Sequence, residues 1–191
     1  FEASDPFDRA QLESALAAAN ERVHRAALED ASLRGMGTTV VALLARPAAA
    51  AVVAHVGDSR AYLLRPGGAA LERLTEEHPV VAELMRRGLR TEDEAELHPR
   101  RNEILRSVGV EPEVEVDARE VALGAGDRVL LCSDGLCGVL ADAEIEAHAA
   151  LGSPEAAVAA LSASANEAGG PDNITVQLLA VEGARDAARA A

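Results

Sequence analysis

Three aspartates in this sequence share one local context. Asp58 follows the apolar run ending His55-Val56-Gly57. Asp134 follows Val129-Leu130-Leu131-Cys132-Ser133 and precedes Gly135, and Asp172 precedes Asn173 and the apolar run Ile174–Leu179. Each is expected where a buried strand meets a glycine-containing turn. Carboxylates at strand ends can converge on one point while the strands hold them rigid. Hard divalent cations such as Mg2+ and Mn2+ favour such oxygen ligands. Two ions roughly 3.5–4 Å apart can clamp a phosphate and acidify a water. Aspartate beside glycine is also an ordinary turn signal, and any one of the three taken alone favours that reading.

Thiol chemistry is not indicated. Cys132 and Cys137 lie five apart, and neither is followed by Arg six positions later. They read as small core residues in a reducing compartment. Among the histidines, His55 falls in an expected strand and His24 and His148 in expected helices, so these three read as structural. His78 and His98 fall in a polar stretch and read as solvated loop residues. Gly124-Ala125-Gly126 precedes a strand instead of following one, which rules out a dinucleotide fingerprint.

The elements that must position the aspartates follow from periodicity. Asp5 and Pro6 suit the start of a helix. Leu12, Leu16, Ala19, Val23 and Ala26 then recur at helical spacing, a core-facing stripe to about Glu29. β-like runs cover Thr38–Arg46, Ala50–Val56 and Arg60–Arg65, separated by Pro47 and by Gly57-Asp58-Ser59. Connections this short predict adjacent antiparallel strands. A fourth short strand is expected over Ala70–Leu74, after Pro66-Gly67-Gly68. From Thr75 to Gly109 the chain is polar, carries Pro79, Gly88 and Pro99, and reads as short helices in an irregular excursion; such excursions are often functional. Thr91-Glu92-Asp93-Glu94 within it suits a helix N-terminus, its acids favourably placed against the dipole. Val114, Val116, Ala118 and Val121 alternate through one strand. Arg128–Ser133 is nearly continuous in apolar residues, as a central buried strand requires. Asp142 starts a short helix, Ser153-Pro154-Glu155 caps another to about Ala168, and Ile174–Val181 is the last strand. The Ala/Arg-rich stretch 183–191 reads as a tail or linker.

The 191 residues suit one domain. Apolar residues make up 49% and aromatics 2%, so the core must come from Ala, Val, Leu and Ile. All 18 basic residues are Arg, a pattern that fits a GC-rich genome better than a functional signal. A net charge of −14 argues against a nucleic-acid surface. It also sets a problem for chemistry on anionic phosphates, one that bound cations would solve locally. No apolar run reaches the ~18 residues of a membrane span, and no signal peptide is visible. A cytoplasmic location is expected. The chain begins at Phe1, so further sequence before it is expected.

Taken together, several segments resemble the bacterial protein phosphatase 2C family, in order and in spacing. They are Gly35-Met36-Gly37-Thr38-Thr39, His55-Val56-Gly57-Asp58-Ser59-Arg60, Leu74-Thr75, Arg101-Asn102-Glu103-Ile104-Leu105-Arg106, Gly126-Asp127, Cys132-Ser133-Asp134-Gly135-Leu136 and Gly170-Pro171-Asp172-Asn173-Ile174-Thr175-Val176. The resemblance runs from about residue 10 to residue 182. It implies an α+β fold, a four-layer αββα sandwich of two antiparallel β-sheets flanked by helices. It implies that Asp134 and Asp172 bind a catalytic metal, and that Asp58, with Asp134, serves a third and looser site. The excursion from Thr75 to Gly109 matches the family's flap, which places Asn102 in the flap near that third site. Two or three Mn2+ or Mg2+ ions are implied as cofactors.

The family also begins with two strands that carry a phosphate-binding Arg and an Asp-Gly pair whose Asp bridges both metals. No such segment precedes the first helix, and Asp5 and Asp8 lie in a helix start. Residues 1–182 therefore read as a single phosphatase domain that is N-terminally incomplete. The reaction implied is hydrolysis of phosphoserine and phosphothreonine in proteins by a metal-bound water, without a covalent intermediate. The partners implied are phosphorylated proteins of bacterial signalling, serine/threonine kinases and their targets. The alternative is a degenerate, non-catalytic regulatory or binding module that kept the fold.

Overall fold

The computed structural model describes residues 9–45, 50–67, 70–76 and 106–182. The expected helix start at Asp5-Pro6, the Pro47 connection, most of the excursion with His78, His98, residues 91–94 and Asn102, and the 183–191 tail lie outside them.

Helix α1 spans Arg9–Glu29. Strands β1 (Val40–Leu44), β2 (Ala51–Val56) and β5 (Asp117–Val121) form a three-stranded sheet in the order β1-β2-β5. Strands β3 (Arg60–Leu64), β4 (Glu72–Arg73), β6 (Arg128–Cys132) and β7 (Val176–Ala180) form a second sheet in the order β4-β3-β6-β7. Its pairings are antiparallel. The described residues also form helices α2 (Asp134–Cys137), α3 (Asp142–Ala149) and α4 (Pro154–Glu167), between β6 and β7. The α+β class is borne out.

One expectation about connectivity fails. β2 and β3 are not hairpin partners, because they belong to different sheets. Gly57-Asp58-Ser59 carries the chain from one sheet into the other. A glycine-containing turn signal marks a change of direction and does not say which strand the chain then joins. Gly57 is needed there: its φ is +105°, and an added Cβ would fall 2.7 Å from Thr39 Cβ.

The described residues form two compact units, one drawn from residues 9–42, 54–58, 76 and 106–119, the other from 43–45, 50–53, 59–67, 70–75 and 120–182. In the first, α1 grips the segment around Gly109. Asn20, 1% exposed, accepts a hydrogen bond from Gly109 N at 2.7 Å and donates to the Glu111 and Pro112 carbonyls at 3.0 and 3.2 Å. His24 Nδ1 lies 3.1 Å from the Gly109 carbonyl. The apolar stripe read for α1 is thereby corrected: Leu12 is buried, but Ala19 is exposed and polar Asn20 is buried next to it. An alanine gains too little from burial to dictate a helix's rotation, whereas an amide that satisfies three backbone groups can.

The second unit holds the core that matters for the site. The cross-strand row Tyr62, Leu130 and Leu178, with the neighbouring pair Cys132 and Val176, packs against Leu136, Ile145 and Leu161 from α2, α3 and α4. In α4 the buried residues Ala157, Leu161 and Ala165 recur every four positions, one face of a helix. Ser153 caps that helix by accepting from Ala156 N, as expected. β6 is central, between β3 and β7, with Val129 and Leu130 each 1% exposed. Its register pairs Arg60 with Cys132 and Cys132 with Val176, so β3 begins, β6 ends and β7 begins at one edge of the sheet.

Candidate metal centre

At that edge the backbone segments that carry two of the three aspartates meet. β6 ends at Cys132, Ser133 follows in extended conformation, and Asp134 is the first residue of the one-turn helix α2. The Asp172-Asn173 turn runs into β7 beside it. Ser133 N donates to the Thr175 carbonyl at 3.0 Å. The Ser133 hydroxyl accepts from Thr175 N at 3.0 Å and donates to the Asn173 carbonyl at 3.2 Å. A serine before a helix normally spends its side chain capping it; here the hydroxyl makes no cap bond and fastens the two aspartate turns instead.

Gly135 makes this approach possible. An added Cβ there would collide with the Asn173 carbonyl oxygen and lie 2.9 Å from its carbon and 3.4 Å from the Asp172 carbonyl oxygen. The Gly in Ser133-Asp134-Gly135 is therefore a matter of clearance between two backbones. The short helix was missed in the sequence, which read only a turn at this point. Four residues containing a glycine carry no helical periodicity.

Both carboxylates are exposed, and each binds the next backbone N–H through Oδ1. These bonds are Gly135 N to Asp134 at 2.9 Å and Asn173 N to Asp172 at 2.7 Å. Among the described residues nothing partners Oδ2 of either. Two anchored carboxylates with free oxygens suit a hard divalent ion, which takes one or two carboxylates and completes its shell with water and phosphate oxygens. Among the described residues no three His, Cys, Asp or Glu side chains gather into a metal-holding group, so these two carboxylates alone could supply only part of a coordination shell. Asp58, half-buried after β2, lies in the other compact unit, and Asn102 lies outside the described residues.

The other chemistry-bearing residues are absorbed by structure. His55 is buried, its Nε2 2.8 Å from the Glu76 carbonyl, and His148 Nε2 lies 2.9 Å from Ser164 Oγ. Cys132 and Cys137 form no disulfide and are buried in the core, as read. Asp127 is buried and closes the turn before β6, accepting from Gly124 N at 2.8 Å and from Arg65 at 3.2 Å. A cavity of about 330 Å³ lined by Leu64, Arg65, Glu146 and Arg128 sits at the opposite end of the β3–β6 ladder from Asp134. Its polar groups are already engaged: Arg65 by Asp127, Arg128 by the Ala149, Leu151 and Gly152 carbonyls, and Glu146 by Leu71 N.

No helix of the described residues is long and apolar enough to cross a membrane. Comparison with known proteins agrees with the motif order. Residues 1–171 match the family model described as protein phosphatase 2C. The serine/threonine phosphatase stp of Listeria innocua is 41% identical over 172 residues, covering 88% of this chain and 66% of the relative. The chain thus spans just under two thirds of that relative's length. The S. agalactiae serine/threonine phosphatase structure superposes with a TM-score of 0.78 at 35% identity, covering 91% of this chain and 71% of that one. The catalytic domain of the serine threonine protein phosphatase PstP, in complex with two manganese ions, superposes with a TM-score of 0.70 at 34% identity, covering 93% and 72%. The chain belongs to the protein phosphatase 2C family.

Proposed function

We propose that the protein carrying this chain hydrolyses phosphoserine and phosphothreonine in proteins, with Mn2+ or Mg2+ held by Asp134 and Asp172. The observation that carries the reading is the fastening of these two aspartate turns to each other, in a chain of this family. The manganese complex of PstP supports the choice of metal. When bound, a divalent ion supplies positive charge against the phosphoryl oxygens and lowers the pKa of a water.

The chain's own residues provide the rest. Asp134 and Asp172 offer anionic oxygens to the ion, and each accepts a hydrogen bond from the next backbone N–H, Gly135 N and Asn173 N. Ser133 keeps the two turns at fixed separation. Cys132 and Cys137, 2% and 6% exposed, offer no accessible thiol nucleophile. Asp58 is proposed as ligand to a further, looser ion, and Asn102 as a flap residue. Residues 1–182 act as one phosphatase domain, with 183–191 as a tail. Serine/threonine kinases and their targets as substrates, and action in the cytoplasm, belong to the same proposal. The test is phosphate release from a phosphothreonine peptide by the full-length protein. Release that requires Mn2+, stops with chelator and falls to background in Asp134→Asn supports the reading. Full-length protein that holds Mn2+ and releases nothing overturns it.

A further inference from the structure

A helix of one turn cannot set its own direction. Nucleation of an isolated turn is unfavourable, so α2 takes its orientation from what holds its two ends. The front is held by Ser133, through Thr175 and Asn173. The rear is held from β3. Arg60 Nη1 donates to the carbonyl of Cys137, the last residue of α2, at 3.2 Å. The same nitrogen donates to Tyr62 Oη at 3.0 Å and lies 3.9 Å from Asp142 Oδ1. Tyr62 Oη in turn donates to Asp142 Oδ1 at 3.0 Å, at the first residue of α3.

The guanidinium is therefore a fixed post. Its side chain is 19% exposed, and Tyr62 beneath it is fully buried. β3 is locked to β6 by the Arg60–Cys132 pairing, so the post stands on the same ladder that delivers Asp134. The end of α2 and the start of α3 both hang on it, and the loop between them, residues 138–141, is held at both ends.

We infer that Arg60 is a positioning residue for the metal centre: by holding the Cys137 carbonyl it fixes the tilt of α2 and with it the place of the Asp134 carboxylate. This rests on the reading of Asp134 as a metal ligand. The bonds described for Arg60 run to protein groups, the Cys137 carbonyl, Tyr62 Oη and Asp142. A guanidinium is suited to the task because it is planar and presents several donors in fixed directions, whereas an ammonium is a single point charge on a flexible stem.

The test is Mn2+ affinity of the full-length protein, read from the free Mn2+ signal by electron paramagnetic resonance, beside thermal unfolding without metal. Supporting groups behind a metal ligand change affinity by roughly 10- to 100-fold. Arg60→Met is expected to weaken Mn2+ binding about 10-fold, with Arg60→Lys between it and wild type. Ile145→Val, in the buried core of α3, is the control: it lowers the unfolding temperature and leaves Mn2+ affinity unchanged. If Arg60→Met lowers the unfolding temperature but binds Mn2+ within two-fold of wild type, Arg60 is only structural and the inference fails. If Asp134→Asn binds Mn2+ like wild type, the ligand reading fails instead and takes the inference with it.

Discussion

Replacing Gly135 with alanine sets two general rules against each other. Gly135 lies in the first turn of α2 and its φ is not positive, so backbone preference alone predicts that alanine helps, by about 1 kcal/mol. Packing predicts the reverse. The new Cβ would lie 2.9 Å from the Asn173 carbonyl carbon, closer than real contacts allow, and the atoms it meets are backbone, which cannot swing aside. Overpacking of this kind costs about 1–3 kcal/mol. The structure can escape only by moving the Asp172-Asn173 turn outward. That weakens the Ser133 hydroxyl's bonds to Asn173 and Thr175, each worth about 1 kcal/mol. The net expectation is a loss of about 2 kcal/mol, or about 4–8 °C in the unfolding temperature of a domain this size. Separating the two carboxylates also weakens Mn2+ binding by about 10-fold or more. Thermal unfolding and a Mn2+ titration on the same variant check both parts. A Gly135→Ala protein as stable as wild type with unchanged Mn2+ affinity would refute the claim that this glycine exists for clearance.

Two further predictions concern the scaffold. Asn20→Ala leaves Gly109 N without its acceptor and the Glu111 and Pro112 carbonyls without their donor, and a loss of about 2–4 kcal/mol is expected; a shift in urea midpoint equivalent to under 0.5 kcal/mol would contradict it. Tyr62 is the chain's one tyrosine and there is no tryptophan, so absorbance near 295 nm follows that phenol alone. Burial pushes its pKa upward, against the smaller opposing effect of Arg60's hydrogen bond. A raised folded-state pKa means that this contribution to stability is full below the ordinary phenol value near 10 and is lost as pH rises above it. Ionisation is expected only together with alkaline unfolding, seen as coincident absorbance and circular dichroism changes. A smooth titration near pH 10 in protein that stays folded would contradict the buried placement.

How much of this was legible beforehand depends on the kind of signal. β6 announced itself, because Val129-Leu130-Leu131-Cys132 is an apolar run bounded by a turn, and only a central strand buries such a run on both faces. Helix α4 was legible from Ser153-Pro154, whose capping role is local chemistry. The pairing of β2 and β3 was misread, since sheet membership is decided by distant partners: β3 joins β6, nearly seventy residues on. Asn20 was invisible because its three backbone partners lie some ninety residues away. At the site, the motifs pointed to Asp134 and Asp172, but not to the serine hydroxyl that binds their turns together or to Arg60 behind them. These are bonds to backbone carbonyls and amides, which leave no residue-type trace at the receiving end.

The central claim is that Asp134 and Asp172 serve one ion as a fastened pair. Mn2+ binding to the full-length protein, measured for wild type, Asp134→Asn, Asp172→Asn and the double variant, tests it most directly. The account predicts that each single change removes most of the affinity at the same site and that the double variant is scarcely worse than either, because both remove ligands of one ion. Wild-type affinity in both single variants, or losses that simply add, would contradict it.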